Sequence, residues 1–353
     1  MSILSKKIID PTPPYFGLDI SELSVKVLQM AHHGKYDSVY GFASENLAQG
    51  TIVAGEVVNK KNMIGAIKRA CAKAGISTKN VICSLPESRS FLRIVTLPQM
   101  TNVEVMEAIK WEIEAVIPLS IDQVYYDWQI LNQKLTKNEK QMDVIIVAVS
   151  KKYINDFIDL LHEARLSAYG FELEPVAEAT SLLKNDEKGV TTMIIDIGDK
   201  NTSFVITVDN IPVFTSSIPL SAESMTKAIE QTFGITYREA EHIKIAYGIG
   251  SVLKNDHLFQ AVKSVLENFA TEARKSIDFY LSGLTYSKAV DRIIMCGGGA
   301  KTIGLAPYLS RRLGYNIELG NPWVNVNFKS VPPINREEAV QYATVIGLAT
   351  KQL

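Results

Sequence analysis

The chain has 353 residues, 46% of them apolar and 21% charged, and its 37 basic and 38 acidic residues give a net charge of -1. A chain of this length exceeds what one hydrophobic core usually organises, so we expect two domains or two lobes. The balanced charge provides no global attraction to nucleic acid or anionic lipid, which argues against a polyanion-binding protein.

Neither a targeting signal nor a membrane span is predicted. The first 16 residues lack the apolar stretch of a signal peptide, and three prolines interrupt any helix there. No other run approaches the roughly 20 apolar residues of a membrane span, so we expect a cytoplasmic protein. An odd number of cysteines without paired spacing predicts neither disulfides nor a zinc site, and all three are expected to be small buried residues: Cys71, Cys83 and Cys296.

The chain begins with predicted strands followed by one helix. Residues 15 to 31 and about 36 to 47 are rich in Val, Leu and Tyr and flank the turn HHGK, which is typical of paired strands. A helix follows, with an apolar face and a terminal glycine formed by Ile64, Ile67, Cys71, Ala74 and Gly75. The segment NVICSLP then completes a sheet-plus-helix unit.

Residues 88 to 166 are predicted to form a self-contained module. Two short strands around FLRIVTLP lead to Thr101, which can form a capping box with Glu104 at the start of a helix over 102–117. The buried face and the end of this helix are formed by Val105, Ile109, Ile113, Val116 and Pro118. The strands QVYYDWQIL and MDVIIVAVS flank a polar loop, and KKYINDFIDLLHEARL is a second amphipathic helix.

The second half of the chain follows a strand-to-helix passage, YGFELEPVAEATSLLK. From about residue 190, two long strands joined through Asp209 and Asn210 form a predicted hairpin. Helical segments fill roughly 221 to 284. The segment VDRIIMCGGGAKTIGL is predicted as a buried strand, a glycine turn and a helix start, and a helix from Glu337 closes the chain.

Two aspartates, Asp19 and Asp196, stand in matching places 177 residues apart. Each follows an apolar strand and precedes a small-residue turn and another strand, which predicts a duplicated architecture. If the hairpins face each other across a cleft, their turns can present N–H groups and polar side chains to phosphate oxygens, namely Ser21, Ser24, Asn201 and Thr202. Lys26 can neutralise an oxygen, Gly198 permits close backbone approach, and the two aspartates can hold a hydrated Mg²⁺. Taken singly, each hairpin is better explained as an ordinary turn.

A triple glycine and a charged pair are further candidates for ligand contacts. Three glycines after a buried strand leave no side chain where the backbone can lie against a nucleoside: Gly297, Gly298 and Gly299. Glu272 and Lys275, three apart on one helix face, can hydrogen-bond a ribose. A surface salt bridge is the alternative explanation for this pair.

The order of these features resembles the actin-like ATPase superfamily, in which a first phosphate, a connecting, a second phosphate and an adenosine motif follow one another. Asp19 and Lys26 match the first motif at the same spacing. The other two ligand motifs are matched by Asp196, Gly198 and Asp199, and by the three glycines at 297–299. The resemblance implies an α/β fold with two lobes of duplicated sheet-plus-helix subdomains around a nucleotide cleft, with ATP and Mg²⁺ as ligands.

Within this superfamily the chain is similar to the PilM family of type IV pilus assembly proteins, which is related to the cell-division protein FtsA. The most specific pieces are FGLDISELSVKVL, the segment 97–128, FELEPVAEATSLL and EARKSIDFY. The resemblance implies that residues 88–166 are an FtsA-type 1C, or SHS2-like, module, and that its groove with the first lobe accepts the cytoplasmic tail of PilN. It further implies a cytoplasmic scaffold, peripheral to the inner membrane, that forms a ring and links PilN and PilO to the motor ATPase.

The resemblance also implies a division of the chain. After a tail (1–14), the expected segments are the first lobe (15–87 and 167–189), the inserted module (88–166) and the second lobe (190–220 and 276–353) with its subdomain 2B (221–275).

The chain departs from the family pattern in both phosphate loops. Ser21 and Lys200 stand where glycines are usual, so a side chain restricts backbone approach, and ATP binding is expected to survive. Glu174 matches the carboxylate that orients the attacking water in bacterial actin homologues, which makes it the catalytic candidate. Its alternative explanation is a helix N-terminal carboxylate favoured by the dipole. Whether ATP is hydrolysed stays open.

Two other functions are weighed. An FtsA-like filament-forming ATPase ranks second, because VIGLATKQL ends without the amphipathic membrane helix that FtsA carries. A small-molecule kinase on the same fold needs a general base and a polar pocket in the first lobe, and the sequence offers no such cluster of Asp, Asn and Arg.

Overall fold

Two five-stranded sheets with the same arrangement of strands organise the protein. The computed structural model describes residues 13–53, 55–117, 119–131, 140–251, 256–283 and 288–351. In this part of the chain each large sheet forms one lobe, and a three-stranded sheet forms a separate module. None of the helices described combines the length and hydropathy needed to cross a bilayer.

The first half of the chain contains the first lobe and the module. The first lobe begins with β1 (Tyr15–Ile20), β2 (Ser24–His33), β3 (Tyr36–Asn46), β4 (Ile52–Val53), β5 (Glu56–Val57), α1 (Lys60–Lys73) and β6 (Asn80–Leu85). After a 3₁₀ turn (Glu87–Arg89), the module consists of β7 (Ser90–Pro98), α2 (Asn102–Val116), β8 (Val124–Ile130) and β9 (Gln141–Ser150). The chain then continues through α3 (Lys151–Glu163), β10 (Ser167–Leu173) and α4 (Glu174–Leu182).

The register of the first hairpin explains the spacing of Asp19 and Lys26. In the sheet order β10-β6-β1-β2-β3, β1 runs antiparallel to β2 and parallel to β6. Asp19 and Lys26 are directly opposite each other in the β1–β2 ladder. Residues opposite each other project on the same face of a sheet, so a spacing of seven brings a carboxylate and an ammonium group together.

Helix α1 packs on the first sheet with a buried stripe that differs from the predicted one. The fully buried residues are Met63, Ala66, Ile67 and Ala70. Ile64 and Cys71, predicted to face inward, are only half-buried. Both still pack against the edge of the buried cluster of the first lobe. Gly75 follows the helix with φ +65°, as predicted.

The module packs one helix on an antiparallel sheet of order β7-β9-β8. The predicted capping box of Thr101 and Glu104 is present, and α2 buries Val105, Ile109 and Ile113 against the sheet. The two short strands predicted around FLRIVTLP form the single strand β7. Most of the predicted polar loop (132–139), Pro118 and the side chain of Val116 lie outside the described residues. Assignment of the module as a 1C subdomain stays a prediction.

Helix α3, predicted as the last element of the module, packs against both the first lobe and the module. Phe157, Leu160 and Leu161 share a buried cluster with Phe16 and Leu18 of β1. Helix α3 contacts α1 and β10 of the first lobe and β9 of the module, and its Ile154 shares a buried cluster with Leu92 and Val149 of the module. The other predicted segment boundaries stay predictions.

The second lobe repeats the arrangement of the first. Its elements are β11 (Thr191–Ile197), β12 (Thr202–Val208), β13 (Ile211–Ile218), α5 (Ala222–Phe233), α6 (Tyr237–Tyr247), α7 (His257–Gly283), β14 (Arg292–Cys296), α8 (Leu305–Leu313), β15 (Ile317–Leu319) and α9 (Arg336–Ala339). The last helix, α10 (Ala343–Thr350), returns to the first lobe and packs on β1, β2 and β6. In the order β13-β12-β11-β14-β15, the first three strands are antiparallel and the last two are parallel to β11. Asp209 and Asn210, with φ +51° and +67°, form the predicted hairpin tip.

Two helices, α4 and α10, connect the lobes. Helix α4 packs Ala179 and Leu182 against the second sheet, while Ala177 packs against Ile82 of the first. The helices lie so close together that a Cβ on Gly347 would fall 1.9 Å from the Ala177 carbonyl oxygen. The predicted C-terminal helix is interrupted, since a 3₁₀ turn (Val340–Tyr342) separates α9 from α10.

We expect Gly347→Ala to destabilise the protein by about 1–3 kcal/mol or more, because the two helices must separate to admit the methyl group. Gly65→Ala in α1 is the matched control, since its Cβ would meet only the mobile end of Arg69 at 3.3 Å. That control should stabilise by about 0.5–1 kcal/mol. Thermal denaturation of both variants measures the difference, and equal melting temperatures would contradict the close helix contact.

Candidate functional site

The β1–β2 and β11–β12 hairpins meet at a cleft between the lobes, and two adjoining cavities fill it. The inner cavity has a volume of about 190 Å³ and is lined by both aspartates, Lys26 and the turn after β14. The outer cavity has a volume of about 380 Å³ and reaches the segment after β6. Both are bordered by Ser21, Glu174, Asp196, Gly198 and Asp199.

The first lobe contributes a carboxylate that is fixed from two sides. Asp19 is 6% exposed, and its Oδ1 accepts a hydrogen bond from Ser84 Oγ at 2.9 Å. Its Oδ2 lies 3.7 Å from Lys26 Nζ. Burial alone lowers the pKa of Lys26, but Asp19, Asp196 and Asp199 together raise that pKa above its usual value. Lys26 is therefore an ammonium group held by carboxylates of both lobes.

The second lobe contributes Asp196, which lies beside two buried groups that sequence reasoning missed. Each of Glu178, Asp196 and Cys296 has one oxygen or sulfur atom that could ligate a metal, and these three atoms lie within 4.8 Å of one another. Glu178 is 1% exposed, and its Oε2 has no hydrogen-bond partner among the described residues. Burial, Asp196 and Glu174 raise the pKa of Glu178 well above its usual range. A protonated Glu178 can donate to Asp196 and so orient it.

The glycine turn packs directly on Asp196. Gly297 has φ +82°, and a Cβ there would fall 2.1 Å from Asp196 Oδ1. Only glycine fits this position, so the turn is shaped around the carboxylate as well as around the inner cavity. Gly298 lines the same cavity, and a Cβ on Gly298 would meet nothing within 4 Å.

Glu174 begins helix α4 and faces both cavities. Burial, together with Asp19 and Asp196, raises the pKa of Glu174 to about 8. A hydrogen bond from the backbone N–H of Glu87 opposes this shift. Burial also raises the pKa of Asp196, against the effect of Lys26. Several carboxyls thus share one ammonium group, which is an arrangement that a bound cation would relieve.

The turns of the β1–β2 and β11–β12 hairpins contain the polar groups predicted from the sequence. The hydroxyls of Ser21 and Ser24 lie 2.9 Å apart, and the N–H of Ser21 donates to the Ser24 carbonyl. The N–H of Gly198 donates to the carbonyl of Asn201 at 3.0 Å, which closes the second turn tightly. Lys200 lines the outer cavity and forms a salt bridge with Glu223.

Four predicted contacts are not brought to these cavities. Thr202 is fully buried, and its hydroxyl donates to the Leu220 carbonyl. Gly299 is buried against Ile197 and Ala222. Glu272 and Lys275 pair with each other at 2.7 Å on α7 and line neither cavity. Glu272 and Lys275 therefore form a surface salt bridge, which was the alternative explanation for this pair.

A second polar cluster, also missed from the sequence, lies behind the second turn. Lys244 is 7% exposed, and its Nζ donates to the Ala222 carbonyl and to Thr226 Oγ1 and pairs with Glu241. The N–H of Ala222 in turn donates to the Gly198 carbonyl. An i,i+3 acidic and basic pair after a capping box in α6 was the available signal.

Duplicated sheets joined by two helices around a carboxylate-lined cleft define an actin-like ATPase fold. The crystal structure of MreB5 of Spiroplasma citri bound to ADP shares this fold, with 14% identity, a TM-score of 0.54 and 95% of each chain covered. A family model described as type IV pilus assembly protein PilM matches residues 17–353, and the chain belongs to that family. Both resemblances inferred from the sequence are confirmed.

Solved and curated relatives agree with this assignment. A chain of the PilM-PilN type IV pilus biogenesis complex is 25% identical, with a TM-score of 0.81 over 96% of this chain and 98% of that one. FtsA of Enterococcus hirae is 23% identical over 356 residues, which cover 88% of this chain and 79% of FtsA. FtsA of Bacillus subtilis is 22% identical, with 59% of this chain and 49% of that protein covered.

The raised pKa of Glu174 predicts pH-dependent stability. An unfolded glutamate titrates near pH 4.5, whereas Glu174 in the folded protein titrates near 8, so its contribution is full below about 4.5 and declines as the pH rises toward 8. Glu174→Gln keeps a neutral side chain, so its melting temperature relative to the wild type should increase between pH 5 and pH 8.5. The exposed Glu337→Gln is the control, and a constant difference for Glu174→Gln would contradict the shift.

Proposed function

We propose that the protein is an ATP-binding scaffold of the type IV pilus machine, as a cytoplasmic protein at the inner face of the inner membrane. The convergence of Asp19 and Lys26 from one lobe with Asp196 from the other on the inner cavity carries the nucleotide part of the proposal. Carboxylates and hydroxyls beside a polar cavity suit Mg²⁺, which prefers one or two carboxylates together with phosphate and water. Membership of the PilM family supports the pilus part.

In this proposal the triphosphate lies in the inner cavity. Asp19 and Asp196 would hold Mg²⁺, which would neutralise the crowded carboxyls and the phosphates. Lys26, Ser21 and Ser24 would bind phosphate oxygens, together with the second turn through Gly198, Asp199 and Asn201. The glycine turn, through Gly297 and Gly298, would lie against the nucleoside. The MreB5 structures, bound to ADP and to AMPPNP, support nucleotide binding by this fold.

In the same proposal, the hydrolysis of bound ATP is at most slow. Glu174 is the candidate for orienting an attacking water, but with a pKa of about 8 it is mostly protonated at neutral pH and so a poor acceptor for a proton. Bound Mg²⁺ would favour its ionised form by adding positive charge nearby. Glu174 would therefore be able to accept a proton from water only when Mg²⁺ is bound with the nucleotide.

The partner site we propose is the side groove, a cavity of about 410 Å³ between the module and the first lobe. Its walls come from β5, the start of α1, the 3₁₀ turn, α3 and Leu119 of the module. The solved relative in a PilM-PilN complex supports a PilN-like cytoplasmic peptide as the occupant. Recruitment of a ring of this protein to PilN and PilO, and of the motor ATPase to the ring, would follow from that contact.

Calorimetric titration with Mg-ATP tests the nucleotide site. We expect binding by the wild type, and a loss of at least about tenfold for Asp19→Ala or Asp196→Ala, because each removes a charge-bearing metal ligand. The exposed Asp278→Ala on α7 is the control. Absence of heat with the wild type, or equal affinities for all variants, would contradict the nucleotide proposal.

The second candidate function is an FtsA-like filament, which the FtsA relatives support. Pelleting of the same samples with Mg-ATP tests for such a filament.

Titration with a peptide from the N-terminal tail of a PilN-like protein tests the side groove. Ser150→Trp should weaken binding at least about tenfold, because its indole would fill the groove. Ser120→Trp is the matched control: both serines precede a helical turn, neither caps it with its side chain, and Ser120 does not line the groove. Equal weakening by both, with unchanged melting temperatures, would place the peptide elsewhere.

A further inference from the structure

The 3₁₀ turn Glu87–Arg89 stands where the nucleotide cleft, the side groove and the second lobe meet. It connects β6, which pairs with β1 in the first sheet, directly to β7 of the module. The turn is closed by hydrogen bonds from the Arg89 N–H and the Ser90 hydroxyl to the Pro86 carbonyl, at 3.0 and 3.1 Å. These bonds tie residues 86–90 together, so the segment should move as one unit.

Glu87 contacts the cleft through its backbone and the second lobe through its side chain. Its N–H donates to the carboxyl of Glu174, the candidate water-orienting group. Its Oε1 accepts a hydrogen bond from Thr215 Oγ1 of β13 at 3.2 Å. One residue thus bonds both to the nucleotide cleft and across the gap between the lobes.

The module reinforces this bridge with apolar contacts on both sides. Leu92 of β7 packs in a buried cluster with Leu85 and Leu173 of the first lobe. Two residues along the same strand, Ile94 packs against the core of the second lobe. Because alternate residues of a strand project on one face, a single face of the module touches both lobes. Opening of the cleft on this side must break the contacts of Glu87 and Ile94 with the second lobe.

The outer cavity and the side groove share part of their walls. Val57, Ser88, Tyr153 and Phe157 line both. The turn supplies Glu87 to the outer cavity and Arg89 to the side groove, where Arg89 also lies 3.4 Å from Glu56. A ligand in the groove therefore presses on the same segment that positions Glu174.

We propose that the Glu87–Arg89 turn couples occupancy of the side groove to closure of the nucleotide cleft, with Glu87 as the positioning residue that holds Glu174 and the second lobe in one arrangement. The proposal rests on the proposed function, since it assigns the ligands of the two cavities, and it adds the element that transmits between them. Coupling of this kind is reciprocal, so it is measurable from either ligand.

The experiment compares affinities of the PilN-like peptide for the full chain with and without Mg-ATP. For the wild type we expect Mg-ATP to improve peptide affinity at least about fivefold. Thr215→Val and Glu87→Ala should reduce that ratio to less than about twofold, while each ligand alone binds with nearly unchanged affinity. Glu87→Gln keeps an oxygen that accepts from Thr215 and should retain the ratio.

Thr207→Val is the matched control, because it removes a hydroxyl hydrogen bond to the Thr192 carbonyl within the second lobe and leaves the bridge between lobes intact. It should leave the ratio unchanged. A wild-type ratio of one with both ligands bound, or an unchanged ratio in Thr215→Val and Glu87→Ala, would overturn the coupling and leave the proposed function standing.

A measurement without ligands keeps the inference testable if neither ligand binds the wild type, which would be a failure of the proposed function. Spin labels at the exposed positions Lys61 and Gln231, in a Cys71→Ser background, report the distance between the lobes. Thr215→Val should broaden or lengthen that distance distribution relative to the Thr207→Val control. Identical distributions would show that the Glu87 bridge does not hold the lobes together.

Discussion

The crowding of carboxyl groups around one ammonium group is the interaction on which the rest of this structure depends. Asp19, Glu174, Glu178 and Asp196 converge from two lobes on the neighbourhood of Lys26. Burial and mutual repulsion raise the pKa values of Glu174, Glu178 and Asp196, so this buried cluster keeps protons that an exposed cluster would release. A folded protein tolerates such a cost where a ligand is to be bound, and a divalent cation would relieve it.

The architecture brings these carboxyl groups together from both lobes. Each lobe delivers its aspartate at the end of a hairpin in a sheet of the same strand order, and α4 and α10 join the sheets at close range. The module touches both lobes with one face of β7 and so spans the cleft on one side. The lobes are therefore in contact at α4, at α10 and at the turn that begins with Glu87.

Much of the fold could be predicted because its signals are local. The capping box of Thr101 and Glu104, the hairpin tip at Asp209 and the seven-residue spacing of Asp19 and Lys26 are each set by neighbours in the chain. Predictions failed where packing between distant elements decided the outcome. Helix α3, predicted within the module, buries Phe157, Leu160 and Leu161 in the first lobe while it still contacts β9 of the module. The charged pair on α7 carries no signal that separates a ligand contact from a salt bridge.

The sequence alone determined the duplicated hairpins, the glycine turn and the family resemblance, because each depends on particular residue types at a fixed spacing along the chain. Only the tertiary structure decided that Ser84 fixes Asp19, that Glu178 and Cys296 lie against Asp196, and that Thr202 points into the core. These contacts join residues from different strands and helices, and their energies depend on burial and on distances between side chains. No spacing along the chain encodes either quantity, so these contacts arise only when the strands and helices are packed together.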